Sequence, residues 1–127
     1  MRFMTLVKAA ENLRSGPPPM ELIQAIGKLG EEASKAGTMV EMGGLLPSAA
    51  GARVTLSSGK VTVIDGPFTE AKEVIGGYAI YDVKSKAEAI DWSVRFLELH
   101  KQYWKEWQGE VELRQLMDAP PSPGQRR

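Results

Sequence analysis

The sequence predicts an α+β domain of order β-α-β-β-α-β with a hairpin inserted at its middle. Three observations predict it. Apolar residues recur three and four apart over two long stretches, one from Met20 and one from Ser85. Elsewhere they alternate or cluster in short runs. Two of those runs flank Ser57-Ser58-Gly59-Lys60, which is turn chemistry for a hairpin.

Arg2 to Lys8 is short and apolar and reads as a first strand. Ser15-Gly16-Pro17-Pro18-Pro19 is a loop, because three prolines cannot join a ladder or a helix interior. Leu22, Ile23, Ile26, Leu29, Ala33 and Ala36 form one helical stripe, which predicts a helix over Met20–Ala36 stopped by Gly37 in the left-handed conformation. Gly27 and Gly30 weaken this helix and would let it lie close on a sheet. Thr38 to Met42 is a strand, with Gly43-Gly44 as a bulge or close approach. Ala52–Leu56 and Val61–Ile64 form the hairpin, with Arg53 and Thr55 on one face and Val54 and Leu56 on the other. Ile75–Val83 is a strand, with Tyr78, Ile80 and Asp82 opposite Ala79, Tyr81 and Val83.

Ser85-Lys86-Ala87-Glu88 predicts a capping box, with the Ser85 oxygen on the Glu88 amide and the Glu88 carboxylate returning to the Ser85 amide. The helix that follows has two apolar stripes: Ala87, Ile90, Val94 and Leu97, and Trp92, Phe96, Leu99 and Tyr103. One stripe suffices to pack on a sheet. The aromatic one is expected to be covered by a partner subunit or the C-terminal segment. Val111–Met117 is a last strand. The domain spans residues 1–118, and Ala119–Arg127, with three prolines and two terminal arginines, is expected to be a disordered tail. Setting the hairpin aside leaves the split β-α-β of ferredoxin-like domains, with both helices on one sheet face. The other face, bearing Met, Val and Tyr, is expected to be covered by a second copy, giving a barrel-like homodimer.

The chain has 127 residues, enough for one domain that buries roughly two thirds of its extended surface. Sixteen basic residues balance sixteen acidic ones, which argues against a polyanion binder and hence against nucleic acid as a partner. With no cysteine and one histidine, disulfides, thiol nucleophiles and thiolate or bis-imidazole metal sites are excluded; no ligand spacing points to another metal, nor any motif to a cofactor. No run has the length of a secretory or membrane segment, so the cytoplasm is the expected compartment and a membrane is not an expected partner.

The most distinctive stretch is Asp65-Gly66-Pro67-Phe68-Thr69-Glu70-Ala71-Lys72-Glu73, followed by Ile75-Gly76-Gly77-Tyr78. It offers three carboxylates and one amine within nine residues. A carboxylate in a partly apolar pocket can move protons near neutral pH, and a lysine can hold an anion. The same residues also make good turn chemistry, with Asp65 accepting backbone amides and Gly66 free to take positive φ. Both readings stand at this point. His100 lies far from the motif and reads as a surface or interface histidine.

This stretch resembles the YciI-like (YCII-related) family, in the branch named for Asp-Gly-Pro-Phe, with matches at Asp65, Gly66, Pro67, Phe68, Glu70, Lys72 and Glu73. The resemblance covers roughly residues 1–117 and implies a dimeric α/β-barrel protein. Two departures stand out. The wider family carries a histidine near the first helix, where this chain reads Pro17-Pro18-Pro19-Met20-Glu21-Leu22, so a histidine–aspartate pair does not carry over. After Arg95 the chain is richer in aromatics than the family pattern.

The expectation is a small homodimer that binds a small molecule in its cavity, in a regulatory or accessory role. Asp65 is the candidate catalytic residue, and Gly66, Pro67, Phe68, Glu70, Lys72, Glu73 and Tyr78 are the candidate motif or ligand-binding residues. The alternatives are an acid–base enzyme of isomerase, lyase or dehalogenase type acting on a small acidic or cyclic compound, or, as the resemblance implies, a protein partner of transcription machinery.

Overall fold

The computed structural model describes residues 1–11, 16–69 and 71–117. The elements run β1 (Arg2–Ala9), α1 (Met20–Lys35), β2 (Met39–Gly44), β3 (Ala52–Ser57), β4 (Lys60–Asp65), β5 (Val74–Asp82), α2 (Lys86–Tyr103) and β6 (Gly109–Gln115). The main sheet has the order β2-β5-β1-β6, and every neighbouring pair is antiparallel. This is a mixed α+β arrangement consistent with a ferredoxin-like fold. β3 and β4 form a sheet of their own. Their two-residue turn has Ser58 at φ 52° and Gly59 at φ 77°, the left-handed pair that matches the twist of a tight hairpin. The expected tail, 119–127, lies outside the described residues.

The helix ends follow from local chemistry. α1 stops at Gly37, whose φ of 78° lets its amide reach the Ser34 carbonyl at 3.0 Å while the Thr38 amide reaches that of Ala33 at 3.0 Å. Gly30 is buried, and a Cβ there would meet the Met42 sulfur at 2.6 Å; Gly27 faces open space. Only Gly30 therefore serves close packing. At the start of α2, the Ser85 hydroxyl accepts from the Glu88 amide at 3.2 Å. The Glu88 carboxylate takes the Lys84 amide at 3.1 Å, one residue earlier than a reciprocal box requires.

Alternation along β1 and β5 sends Phe3, Thr5, Ala79 and Tyr81 toward the helices. The side chains of Phe3, Ala79 and Tyr81 form the core with Leu29 and Ala33 of α1 and Ala89 and Trp92 of α2. The alanines Ala33 and Ala89 are fully buried, which lets both helices settle on the sheet. Tyr81 stacks on Trp92 with ring centroids 6.0 Å apart. Above them Arg95 of α2 grips Glu32 of α1 through two hydrogen bonds of 2.5 and 2.8 Å.

The two stripes of α2 exchange the expected roles. Trp92, Phe96 and Leu99 pack on the chain's own core, whereas Ile90 and Val94 are exposed. No partner is needed to cover the aromatic stripe, because the sheet itself does so; only Tyr103, at the helix end, is left open. The opposite sheet face presents Met4, Leu6, Tyr78 and Ile80, with the Lys8 ammonium 2.8 Å from Glu112 beside them.

The swapped stripes predict a contrast. Trp92→Ala should cost about 3–5 kcal/mol in denaturant unfolding. Val94→Ala, on the outer side of the same helix, should cost about 0.5 kcal/mol or less.

Candidate functional site

Beyond the packed core, the sheet and the two helices line a cavity of about 1120 Å³. Val7, Val111 and Ala79 contribute from the sheet, Leu22 and Ile26 from α1, and Phe96 and His100 from α2. Trp104 and Trp107 also line it, and Ile23, Leu45 and Ile75 of its wall are exposed to solvent.

His100 is buried rather than at the surface. Its Nδ1 lies 3.0 Å from the Phe96 carbonyl one helical turn back. A carbonyl only accepts, so Nδ1 carries the proton and Nε2 is left as an acceptor. Burial pushes the imidazole below its ordinary value, against the smaller opposing effect of that hydrogen bond. The ring sits 4.6 Å from Phe96 and 4.4 Å from Trp107, centroid to centroid. Sequence reasoning missed this residue. The signal was the spacing of four from Trp92 to Phe96 to His100, which makes consecutive members neighbours on the surface of α2.

The Asp-Gly-Pro-Phe stretch is built as a junction. Glu11, which follows β1, accepts both the amide and the hydroxyl of Ser48 at 2.5 Å. The Ser48 hydroxyl oxygen in turn accepts the Phe68 amide at 2.9 Å. The Gly66 amide donates to the Gly51 carbonyl at 2.9 Å, and the Gly66–Pro67 peptide is cis. A Cβ on Gly66 would lie 1.7 Å from the Ser48 carbonyl oxygen, so glycine is required for space rather than for a positive φ. The Phe68 ring lies under the Arg53 guanidinium, 4.0 Å from carbon to centroid. These contacts tie the hairpin base, the short 3-10 turn Ser48–Ala50 and the end of β1 together at the cavity opening, which Glu11 and Pro47 both line.

Asp65 ends β4 opposite Ala52 and is exposed. Among the described residues its carboxylate has no hydrogen-bond partner, and it is not part of the cavity wall. The expected carboxylate cap is thus replaced by the Ser48 and Gly51 contacts. Pro67, Lys72 and Glu73 are exposed, and Glu73 acts at a distance on Lys8, which Glu112 holds above the usual lysine value. Tyr78 alternates to the open sheet face, where its hydroxyl donates to Glu41, and that bond holds the phenol above its usual value; the residue also contributes to the cavity lining. The ring lies over Gly43, whose Cβ would come within 3.1 Å of it, so the glycine pair marks a close approach. Glu70 lies outside the described residues. The structure therefore gathers Gly66 and Phe68 at the junction and leaves the described charged members, Asp65, Lys72 and Glu73, exposed. Among the described residues no group of three carboxylates or imidazoles is placed to hold a metal ion. None of the described helices is long and apolar enough to cross a membrane.

The sequence profile of the YCII-related domain matches residues 1–96. The chain is also 35% identical over 74 residues to an uncharacterized protein of Rhizobium meliloti (strain 1021). That match takes in 58% of this chain and 57% of the relative, so the chain spans little more than half of the relative's length.

The junction predicts that Gly66→Ala costs about 2–3 kcal/mol, because the new methyl meets main chain rather than a flexible side chain. Gly51→Ala is the control: its Cβ would find its nearest neighbour at 3.6 Å, an ordinary contact, and the melting temperature should barely move.

Proposed function

The chain belongs to the YCII-related domain family, and from that premise we propose that it is a small-molecule binding protein of the Asp-Gly-Pro-Phe branch, working as a homodimer in a regulatory or accessory role. One observation carries the binding reading: a cavity of about 1120 Å³ with mainly apolar walls, reached from solvent past Ile23, Leu45 and Ile75. Ligand sites in proteins are cavities of this kind, typically roughly 300–1,000 Å³ with few polar groups. What supports the branch is the motif itself and its use as a junction at the opening. The acid–base alternative needs Asp65 beside a bound compound. Its carboxylate is exposed at the end of β4 and away from the wall, so binding without turnover is the better supported reading.

The homodimer rests on the uncovered sheet face. Met4, Leu6, Tyr78 and Ile80 form a contiguous apolar strip there across β1 and β5. A second copy on that face would remove it from water and would bring the two sheets together as a barrel. Light scattering at micromolar concentration should give twice the 13.9 kDa chain mass, and Leu6→Lys should return it to one. A single-chain mass for the unaltered protein contradicts the dimer.

The binding reading predicts that a thermal-shift screen of uncharged small compounds finds members that raise the melting temperature. At a hundredfold excess over Kd the stabilisation is about 2.7 kcal/mol, several degrees for a domain of this size. Ile26→Trp, which places an indole in the cavity, should abolish the shift. A shift that survives this substitution locates binding elsewhere and contradicts the reading.

A further inference from the structure

The buried polar side chains of the described residues are Thr5, Ser93 and His100, and all three line the cavity. Each has already spent its proton on a main-chain carbonyl. The Thr5 hydroxyl donates to Ala79 at 3.2 Å, the Ser93 hydroxyl to Ala89 at 3.0 Å, and His100 Nδ1 to Phe96 at 3.0 Å. What they can still offer a ligand is acceptor capacity: two hydroxyl oxygens and one imidazole nitrogen. Among these His100 Nε2 has the most to gain. It is the only one of the three atoms with no hydrogen of its own, and no side-chain nitrogen or oxygen of the described residues is both sealed and unpartnered, so it keeps some exposure; His100 lines both the cavity and a shallower cleft beside Lys101 and Lys105. The Tyr81 hydroxyl, which burial keeps protonated, can act either way.

Charge narrows the ligand further. Among the described residues no lysine or arginine lines the cavity, whereas Glu11 and Glu106 stand at its edge. Among the described residues, an anion would meet two carboxylates and no cation at the wall, so its desolvation is poorly offset there. The rings of Phe96, Trp104 and Trp107 surround the imidazole and favour a flat partner.

We propose that the cavity takes an uncharged aromatic molecule bearing a hydrogen-bond donor, which the unprotonated nitrogen of His100 receives. This rests on the binding reading above and names the class of ligand for that same cavity. It also bears against an acidic compound as the occupant.

The test titrates the full chain, followed by protein NMR at pH 7.5, with three probes: indole, 1-methylindole and indole-2-carboxylate. The first two differ in the donor, and the third adds a negative charge. Indole should bind about tenfold more tightly than 1-methylindole, the worth of one buried hydrogen bond. The carboxylate should bind more weakly than either. His100→Phe keeps an aromatic ring and removes the acceptor; in it the preference for indole over 1-methylindole should fall to about twofold or less. Should that variant not fold, the imidazole nitrogen resonances of the unaltered protein serve instead: Nε2 should move with indole and not with 1-methylindole. Equal binding of the two neutral probes, an unchanged preference in His100→Phe, or tighter binding of the carboxylate overturns the assignment of ligand class and leaves the cavity as a binding site. Failure of both neutral probes to perturb any cavity residue overturns the binding reading itself.

Discussion

The seating of Ala33 and Ala89 against the sheet is the constraint on which the rest depends. Both alanines are fully buried, and between them Trp92 stacks on Tyr81. Small residues at these positions let α1 and α2 approach the strands, and the Arg95–Glu32 pair joins the helices over the top. That pair is exposed, so its own contribution to stability is modest. Its position matters more: it holds the helices together where the core is filled. Further along, α1 carries Leu22 and Ile26 and α2 carries Phe96 and His100, and the space between them and the sheet is open. The cavity is the other end of the same wedge. A change that loosens the alanine end would therefore alter the cavity without touching its wall.

The junction at the opening depends on a different kind of economy. Glu11, Ser48 and Phe68 come from three separated parts of the chain, and the serine joins them by accepting and donating at once, while Gly66 fits against its carbonyl and bonds to Gly51. The hairpin projects from this junction with Val54, Leu56, Val61 and Val63 on one face, all exposed in the single chain. An isolated two-stranded hairpin has little stability of its own. Arg53 over the Phe68 ring anchors its base.

Much of the fold was legible because it is written in short-range patterns. The alternation of Tyr78 and Ile80 against Ala79 and Tyr81 gave their faces correctly, and Gly37 marked the end of α1 by the conformation only glycine adopts cheaply. The stripes of α2 were both visible, but periodicity says only that a face is apolar. Which stripe meets the sheet is decided by the fit of Trp92 to Tyr81, a long-range contact. The site was less legible for the same reason. Asp65 is conspicuous in sequence, yet its local motif works through Gly66, which is needed for room against a carbonyl from residue 48. His100 is inconspicuous, yet the path of α2 carries it into the cavity. The strict spacing of four that aligns it with Trp92 and Phe96 was the one available hint.

In the proposed reading, the space beyond the alanine end is an open, apolar cavity in solution rather than a gap that closes. Diffraction from crystals pressurised with xenon tests it most directly, since xenon occupies accessible apolar cavities and avoids polar, water-filled ones. Xenon density is expected between Phe96, Ile26 and Val111, at a position that disappears in Ile26→Trp. Ordered water throughout that space, or helices closed onto the sheet with no room for the atom, would contradict it.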